Sequence, residues 1–189
     1  MKPAGLLPWV PNLITLARFL AVPGLVYFVL LGQTAAAFWI FVAAGVSDAL
    51  DGLIAKRWHC VTRLGTFLDP LADKVLLVAS YVTLGMQDYI PLWLVILVVS
   101  RDLMIIGGAV LYHQLTDDLK PRPLMISKVN TAMQILLVAV ILAQPGLGIA
   151  LPTVIDSLLI WATGLTTLLS GAAYVITWGG AAMRSENRE

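Results

Sequence analysis

The sequence predicts an all-α integral membrane protein in which six transmembrane helices form one domain. Of its 189 residues, 59% are apolar and only 12% are charged, against about 25% charged residues in an ordinary soluble domain. Apolar stretches of about 20 residues, the length that crosses a bilayer as a helix, can be drawn six times. These stretches lie near Leu13–Leu31, Ala35–Ala55, Phe67–Met86, Pro91–Tyr112, Leu124–Ala143 and Val154–Thr177.

The distribution of basic residues predicts that both termini face the cytoplasm. The first, third and fifth connections, at 32–34, 87–90 and 144–153, contain no Lys or Arg. The other two connections and the termini are basic, and basic connections of membrane proteins lie on the cytoplasmic side. The residues concerned are Lys2, Lys56, Arg57, Arg63, Lys120, Arg122, Arg184 and Arg188.

The remaining composition limits the classes of partner and compartment. The net charge is +1, and no long basic run indicates a nucleic-acid partner. Cys60 is the only cysteine, so we expect a free structural thiol on the reducing side. Residues 1–11 contain prolines and lack the compact apolar core of a signal peptide. We expect them to form an interfacial segment of a single domain that covers residues 1–189.

Four aspartates lie close together in a chain that is otherwise strongly apolar. Asp48 and Asp51 are three residues apart at the end of the second stretch, and Asp69 and Asp73 are four apart at the start of the third. Each pair therefore lies on one face of its helix. Because the connection between the two helices is short, we expect both pairs to converge at the cytoplasmic side.

Four carboxylates in one cavity require cations, since two negative charges 4 Å apart repel by about 4 kcal/mol even at an effective dielectric near 20. Oxygen ligands without His or Cys favour Mg²⁺, Mn²⁺ or Ca²⁺, and two such ions are the usual apparatus of phosphoryl transfer. One alternative is that the aspartates pair with Lys56, Arg57, Lys74 or Arg101 and only hold helices together. Another is an ion or proton transporter, although the carboxylates gather at one face rather than along a path.

Eight positions in this region follow the pattern Asp48-x2-Asp51-Gly52-x2-Ala55-Lys56-x8-Gly65-x3-Asp69-x3-Asp73. The pattern resembles the signature of the CDP-alcohol phosphotransferase family, integral membrane enzymes with six helices. The resemblance implies a reaction in which an alcohol attacks the lipid-side phosphorus of a CDP-linked donor and expels CMP. Lys56 stands where that family usually has arginine, so Arg57 is an alternative source of a planar, bidentate phosphate contact.

The resemblance also implies roles for individual residues. Asp48, Asp51 and Asp69 resemble metal ligands of two divalent cations, Mg²⁺ or Mn²⁺. Asp73 lies at the same metal site and resembles the catalytic base that deprotonates the acceptor hydroxyl. The residues that we expect to bind the nucleotide or the donor are Asn12, Thr15, Arg18, Gly52, Ala55, Lys56, Arg57 and Gly65.

The sequence allows two interpretations of Arg18. Asn12, Thr15 and Arg18 recur every third residue and form one polar stripe on the first helix, which could present Arg18 to a phosphate. The alternative is an arginine that extends along the helix until its charge reaches water. Pro23 and Gly24 are expected to bend this helix one turn further in.

Arg101 and Lys128 are the candidates for binding a phosphate on the acceptor, because intramembrane cations are costly and normally functional. Neighbouring positions on a helix point about 100° apart, so we expect direct pairing of Arg101 with Asp102 to be awkward. The alternative is an interhelical ion pair that joins Arg101, Asp102 and the aspartate cluster.

The segments LDPLADK, VVSRDLMII and LKPRPLMISKVNTAMQ are most similar to the eukaryotic-type cardiolipin synthases of this family. That similarity implies CDP-diacylglycerol as donor and phosphatidylglycerol as acceptor, with other membrane lipids around the protein. Phosphatidylglycerophosphate synthases, which use glycerol 3-phosphate, are the alternative. A bacterial inner membrane is the implied location, with the mitochondrial inner membrane as the alternative. Runs of small residues are compatible with a homodimer.

Overall fold

The computed structural model describes the backbone of residues 10–58, 63–115 and 125–186 and the side chains of residues 16–47, 72–108 and 125–177. Within these residues the chain forms six α-helices and no strand, so the expected helical class and helix number are confirmed. Each helix overlaps one of the predicted apolar stretches. The helices are α1 Val10–Leu30, α2 Thr34–Trp58, α3 Arg63–Met86, α4 Leu92–Leu115, α5 Met125–Leu147 and α6 Thr153–Glu186.

Several helix ends differ from the prediction. Helix α2 continues to Trp58 and α3 begins at Arg63, so Lys56, Arg57 and Gly65 are helical rather than part of a loop. Basic residues in the last turn of α2 favour this extension because they interact well with the negative end of the helix dipole. At the N-terminus, α1 already includes Val10 and Pro11, and proline is well tolerated in the first turn of a helix.

The C-terminal end of α5 also lies beyond the predicted boundary. The helix continues past Ala143 and includes Pro145 in its last turn. It ends at Leu147, and Gly148 follows with a φ of 67°. Since a proline removes only one backbone donor, the last turn can form before this left-handed residue stops the helix.

Three helices end in the same type of C-terminal cap. The residues after α1, α3 and α5 with positive φ are Gly32 at 70°, Asp88 at 59° and Gly148 at 67°. In each case the next N–H donates to a carbonyl five residues earlier, at 2.8 Å from Gln33 to Phe28, 3.0 Å from Tyr89 to Leu84, and 2.9 Å from Ile149 to Gln144. This Schellman arrangement satisfies carbonyl groups that the helix leaves without a partner. It explains why the chain can reverse within a few residues.

The helices fall into two compact units. Unit 1 comprises residues 1–89 and 138–150, and unit 2 comprises residues 90–137 and 151–189. In unit 1, α1 packs against both α2 and α3. Its core contains the fully buried side chains Leu25, Val29, Ala37, Ala72, Tyr81 and Leu84. The assignment of the whole chain to one domain stays a prediction.

Close packing in unit 1 depends on one glycine of α5. A Cβ atom on Gly146 would lie 2.9 Å from the Cα and N atoms of Ala35 at the start of α2. Real Cβ atoms do not approach backbone this closely, so a side chain here would force the two helices apart. The small residue therefore allows direct backbone contact, as in many helix interfaces of membrane proteins.

Unit 2 is built around the packing of α4 against α6. Trp93 of α4 lies over Gly164 of α6, where a Cβ atom would be 2.9 Å from the indole ring. Trp93 and Trp161 also contact each other, with ring centroids 5.2 Å apart. Many large apolar side chains of this unit remain exposed, among them Leu158, Leu165 and Leu168. A surface of this kind suits lipid better than water.

By length and composition, two helices of the described chain qualify as membrane-crossing candidates, at Met125–Leu147 and Thr153–Thr177. Shorter apolar helical segments occur at Leu16–Leu30 and Thr34–Ser47. The number of spans and their orientation therefore stay predictions.

Candidate active site

Asp73, the predicted base, forms an ion pair with Arg18. The Arg18 Nη1 atom donates to Oδ1 of Asp73, which joins α1 to α3 within unit 1. The two side chains differ in exposure, because Arg18 is 1% exposed and Asp73 is 42% exposed. The alternative that Arg18 extends to water is therefore wrong. Arg18 was not among the residues that we expected as partners of the aspartates.

The pair forms because α1 packs directly on α3. Arg18 lies eight residues after the start of α1 and Asp73 lies ten residues after the start of α3. At 1.5 Å per residue, these positions are about 12 Å and 15 Å from the respective helix ends. A buried guanidinium needs a charged or strongly polar partner, and the carboxylate on the neighbouring helix supplies it.

The other three aspartates occupy helical positions at matching distances from the connection between α2 and α3. By 1.5 Å per residue, Asp48 is about 15 Å from the end of α2 and Asp73 about 15 Å from the start of α3, while Asp51 and Asp69 are about 10 Å and 9 Å away. Both helices pack against α1. The side chains of Asp48, Asp51 and Asp69 lie outside the described residues, so their convergence stays a prediction.

All the predicted donor-binding residues except Arg18 have side chains that lie outside the described residues. Their backbones belong to α1, α2 or α3. They are Asn12, Thr15, Gly52, Ala55, Lys56, Arg57 and Gly65.

A groove between α1 and α2 adjoins the Arg18–Asp73 pair. It has a volume of about 310 Å³. Small and apolar side chains form most of its wall, and Arg18 is the charged residue among those that line it. Ser47, at one end, is the residue before Asp48 and donates its hydroxyl hydrogen bond to the Ala43 carbonyl at 2.7 Å. The lining residues are Ala17, Arg18, Leu20, Ala21, Gly24, Ile40, Ala43, Ala44 and Ser47.

The chemistry of the candidate ligands suits divalent cations. All four candidate ligands are carboxylates, which hard ions such as Mg²⁺ and Mn²⁺ prefer. Of these four carboxylates the structure describes that of Asp73, which is 42% exposed and therefore accessible. Among the side chains that the structure describes, no three His, Cys, Asp or Glu groups come together. That set includes Asp73 but not Asp48, Asp51 or Asp69.

Arg101, a predicted phosphate ligand, is anchored inside unit 2. Its Nη1 atom donates to Oδ1 of Asp102 at 2.7 Å, so the expectation that these neighbours pair poorly is wrong. The long arginine side chain can fold back along α4 and bring its planar group to the next residue. The Nη2 atom donates to Ser127 Oγ at 2.7 Å and also to Ser170 Oγ. The ring of Tyr174 lies 5.9 Å from the guanidinium carbon.

The neighbourhood of Arg101 ties three helices together. Arg101 belongs to α4, Ser127 to α5, and Ser170 and Tyr174 to α6. Gly171 of α6 lies against α4, where a Cβ atom would be 3.3 Å from Met104 Cε and in ordinary contact, at 3.7 Å, with Arg101 Cγ. Lys128, the other candidate phosphate ligand, follows Ser127 and is exposed.

A buried polar seam between α5 and α6 was not anticipated. Asn130 accepts hydrogen bonds from the hydroxyls of Thr166 at 3.0 Å and Thr167 at 2.8 Å. The spacing of these residues in the sequence indicates such a seam, because polar residues recur every three or four positions on otherwise apolar helices. The buried or part-buried members are Ser127, Asn130, Gln134, Thr163, Thr166, Thr167 and Ser170.

Comparison with known proteins identifies the family. The model of the CDP-alcohol phosphatidyltransferase family matches residues 8–170. The chain belongs to the CDP-alcohol phosphatidyltransferase family. This assignment confirms the resemblance expected from the aspartate pattern, and it agrees with the all-helical fold.

Named relatives of the chain are lipid-synthesising transferases. It is 38% identical to the rat cardiolipin synthase (CMP-forming) and 37% identical to the human one, in each case over 88% of this chain and 61% of the relative. It is 30% identical to the CDP-diacylglycerol–glycerol-3-phosphate 3-phosphatidyltransferase of Bacillus subtilis, over 87% of this chain and 92% of that protein. The chain thus spans about three fifths of the mammalian relatives.

Proposed function

We propose that this protein is a cardiolipin synthase that transfers the phosphatidyl group of CDP-diacylglycerol to phosphatidylglycerol and releases CMP. The observation that carries the proposal is the identity of 37–38% to two proteins named as CMP-forming cardiolipin synthases. The complete aspartate pattern from Asp48 to Asp73 supports it, since it supplies the acidic groups that this transfer requires.

In the proposed reaction, the free hydroxyl of the acceptor attacks the phosphorus that bears diacylglycerol. A new P–O bond forms, the bond to the bridging oxygen of the diphosphate breaks, and CMP leaves. Asp73 is the proposed base that takes the hydroxyl proton, and its partial exposure makes its carboxylate accessible to such a group. Asp48, Asp51 and Asp69, with Asp73, would hold two Mg²⁺ or Mn²⁺ ions. Bound there, these ions would neutralise phosphate charge and lower the pKa of the attacking hydroxyl.

The donor is proposed to bind along α1 and α2. Arg18 and the lining of the α1–α2 groove supply a positive charge beside an apolar wall, which suits a lipid with a phosphate group. We assign the nucleotide and diphosphate to the helical segment around Gly52 and Ala55, where small side chains permit close approach. Lys56, Arg57 and Gly65, together with Asn12 and Thr15, complete the proposed donor-binding set.

The acceptor phosphate is assigned to Lys128 and Arg101, which differ in availability. Lys128 is exposed, so its ammonium group can reach a ligand directly. Arg101 already donates to Asp102 and to two serines, and one of them, Ser127, precedes Lys128. We therefore propose that Lys128 makes the main contact, while Arg101 mainly fixes this part of α5.

A second candidate is a phosphatidylglycerophosphate synthase that uses glycerol 3-phosphate as acceptor. The Bacillus subtilis relative favours it, because the match covers 92% of that protein. Both candidates use the same donor and the same aspartates and differ only in the alcohol. The transporter alternative gains no support from these relatives, each of which is named as a synthase or transferase.

The proposed setting is a membrane that the chain crosses six times, with both termini and the site on the cytoplasmic side. The two longest apolar spans and the exposed apolar side chains support a membrane location. The inner membrane of a bacterium is the proposed compartment, and the mitochondrial inner membrane is the alternative. A homodimer stays a prediction from the small-residue runs.

The deciding experiment supplies purified protein with CDP-diacylglycerol, Mg²⁺ and one acceptor at a time. We expect cardiolipin and CMP with phosphatidylglycerol, with the lipid identified by mass spectrometry. A clear preference for glycerol 3-phosphate would replace the first candidate by the second. Full activity in the presence of EDTA would contradict the proposed metal dependence.

A further inference from the structure

The position of Arg18 is more than the binding of a CDP-linked donor would require, because Arg18 also contacts Asp73. Its side chain is 1% exposed, and its guanidinium contacts Asp73, the proposed base, on another helix. The same side chain lines the α1–α2 groove on α1. Arg18 therefore touches both the carboxylate on α3 and the cavity whose α2 wall ends at Ser47, one residue before Asp48.

The geometry of arginine allows it to serve both neighbours in turn. The guanidinium carries five N–H donors in a rigid plane, and the contact with Asp73 uses Nη1. A diphosphate offers several oxygens and more negative charge than one carboxylate. Since charge-assisted, bidentate contacts are the strongest hydrogen bonds of arginine, a diphosphate in the groove would compete effectively with Asp73.

We propose that Arg18 is a positioning residue for Asp73, which holds the carboxylate while the groove lacks a donor and releases it when the donor diphosphate binds the guanidinium. This inference rests on the proposed function, because it takes a CDP-linked lipid as the occupant of the groove. No covalent bond changes in the exchange. Its consequence is an order of events, in which Asp73 becomes available to the acceptor and to divalent cations after the donor has bound.

The first test measures Mn²⁺ binding to purified, lipid-depleted protein by electron paramagnetic resonance, without any substrate. Arg18→Gln should tighten Mn²⁺ binding about 3- to 10-fold, which corresponds to the lower part of the coupling energies of residues in contact. In an Asp73→Asn background the same substitution should change the affinity less than about 2-fold. A weaker affinity, or an equal gain in both backgrounds, would overturn the proposal.

Lys74→Gln is the matched control for the loss of one positive charge. Lys74 is adjacent to Asp73 in sequence and lines a different groove, formed mainly by apolar residues of α3. If Arg18 acts by contact with Asp73, the control should change Mn²⁺ affinity clearly less than Arg18→Gln does. An equal change would show that net charge alone explains the effect, and the positioning role would be wrong.

The second test separates donor binding from positioning through the order of binding. In the proposed exchange the donor frees Asp73, so CDP-diacylglycerol without acceptor should tighten Mn²⁺ binding to the wild-type protein more than to Arg18→Gln, in which Asp73 is already released. Arg18→Lys, which keeps the charge but loses the planar fork, should show an intermediate gain. If Arg18 only binds donor, its replacement should raise the donor KM, while saturating donor should tighten Mn²⁺ binding by the same factor in the wild type and in Arg18→Gln. Equal factors would overturn the inference.

The two tests distinguish this inference from the proposed function. If the wild-type protein forms no lipid product with either acceptor, the proposed function fails while the Mn²⁺ measurements still decide whether Arg18 restrains Asp73. If Arg18→Gln does not fold, as judged by circular dichroism, Arg18→Lys carries the binding test. It should then tighten Mn²⁺ binding by a smaller factor that again depends on Asp73, and independence from Asp73 would refute the coupling.

Discussion

Two Arg–Asp ion pairs among the described side chains have very different surroundings. In unit 1, buried Arg18 reaches from α1 to a carboxylate on α3 that is 42% exposed. In unit 2, Arg101 pairs with its sequence neighbour Asp102, and both side chains are only 3% exposed. The second pair is further bound to serines on two other helices, whereas an apolar groove opens beside the first.

This difference indicates which pair is suited to chemistry and which to structure. A half-exposed carboxylate can exchange its partner for a substrate or a cation, because water and ligands can reach it. A fully buried pair is costly to disturb, since removal of one partner leaves a charge without compensation in a medium of low dielectric. We therefore propose distinct roles for the same two residue types, and matched substitutions can test the distinction.

The largest expected effect on activity comes from Asp73→Asn. Loss of the proposed base should lower CMP release by about 10²- to 10⁴-fold, the usual contribution of general base catalysis. The measurement is the rate of CMP formation at saturating donor and acceptor, with circular dichroism as the control for folding. Activity near the wild-type level in folded protein would remove Asp73 from the proposed mechanism.

The matched substitution Asp102→Asn should act mainly on stability. It leaves the Arg101 charge buried without its carboxylate, at a cost of up to about 3–5 kcal/mol. Thermal unfolding in detergent should therefore begin at a clearly lower temperature than for the wild-type protein, while CMP release by the folded protein should fall far less than in Asp73→Asn. A loss of activity as large as that of Asp73→Asn would reverse the assignment of structural and chemical roles.

A smaller effect is expected from Ser170→Ala, which removes one of the hydroxyl acceptors of Arg101. A hydrogen bond to a charged group contributes about 1.5–3 kcal/mol, and the remaining contact with Ser127 should reduce the loss. Ser100→Ala is the control, because that exposed hydroxyl donates to the Leu97 carbonyl of its own helix. Equal unfolding temperatures for the two variants would show that the serine contact adds nothing.

The smallest change in stability is expected when both members of the buried pair are replaced. Arg101→Met combined with Asp102→Leu removes both charges together, and such exchanges are often neutral or stabilising. Thermal unfolding should return close to the wild-type temperature. The acceptor KM of this double variant adds a test of Arg101, since an unchanged value would leave the proposed phosphate contact to Lys128.

Sequence patterns alone predicted the six helices and the places of the four candidate aspartates along them. Apolar length locates a helix because each residue adds a fixed rise, and residues that adopt positive φ, such as Gly32 and Gly148, end it locally. The spacing of Asp48, Asp51, Asp69 and Asp73 also led directly to the family. Each of these features depends on residues that lie within a few positions of one another, so the sequence alone reveals it.

Only the tertiary structure decided which carboxylates Arg18 and Arg101 contact. Arg18 and Asp73 are 55 positions apart, and their contact requires the packing of α1 on α3. Arg101 reaches Asp102 despite an unfavourable angle, because its side chain folds back among α4, α5 and α6. Helix periodicity determines the direction in which a side chain leaves the axis of its own helix. The distance to a partner on another helix is set by packing between helices, which no local pattern specifies.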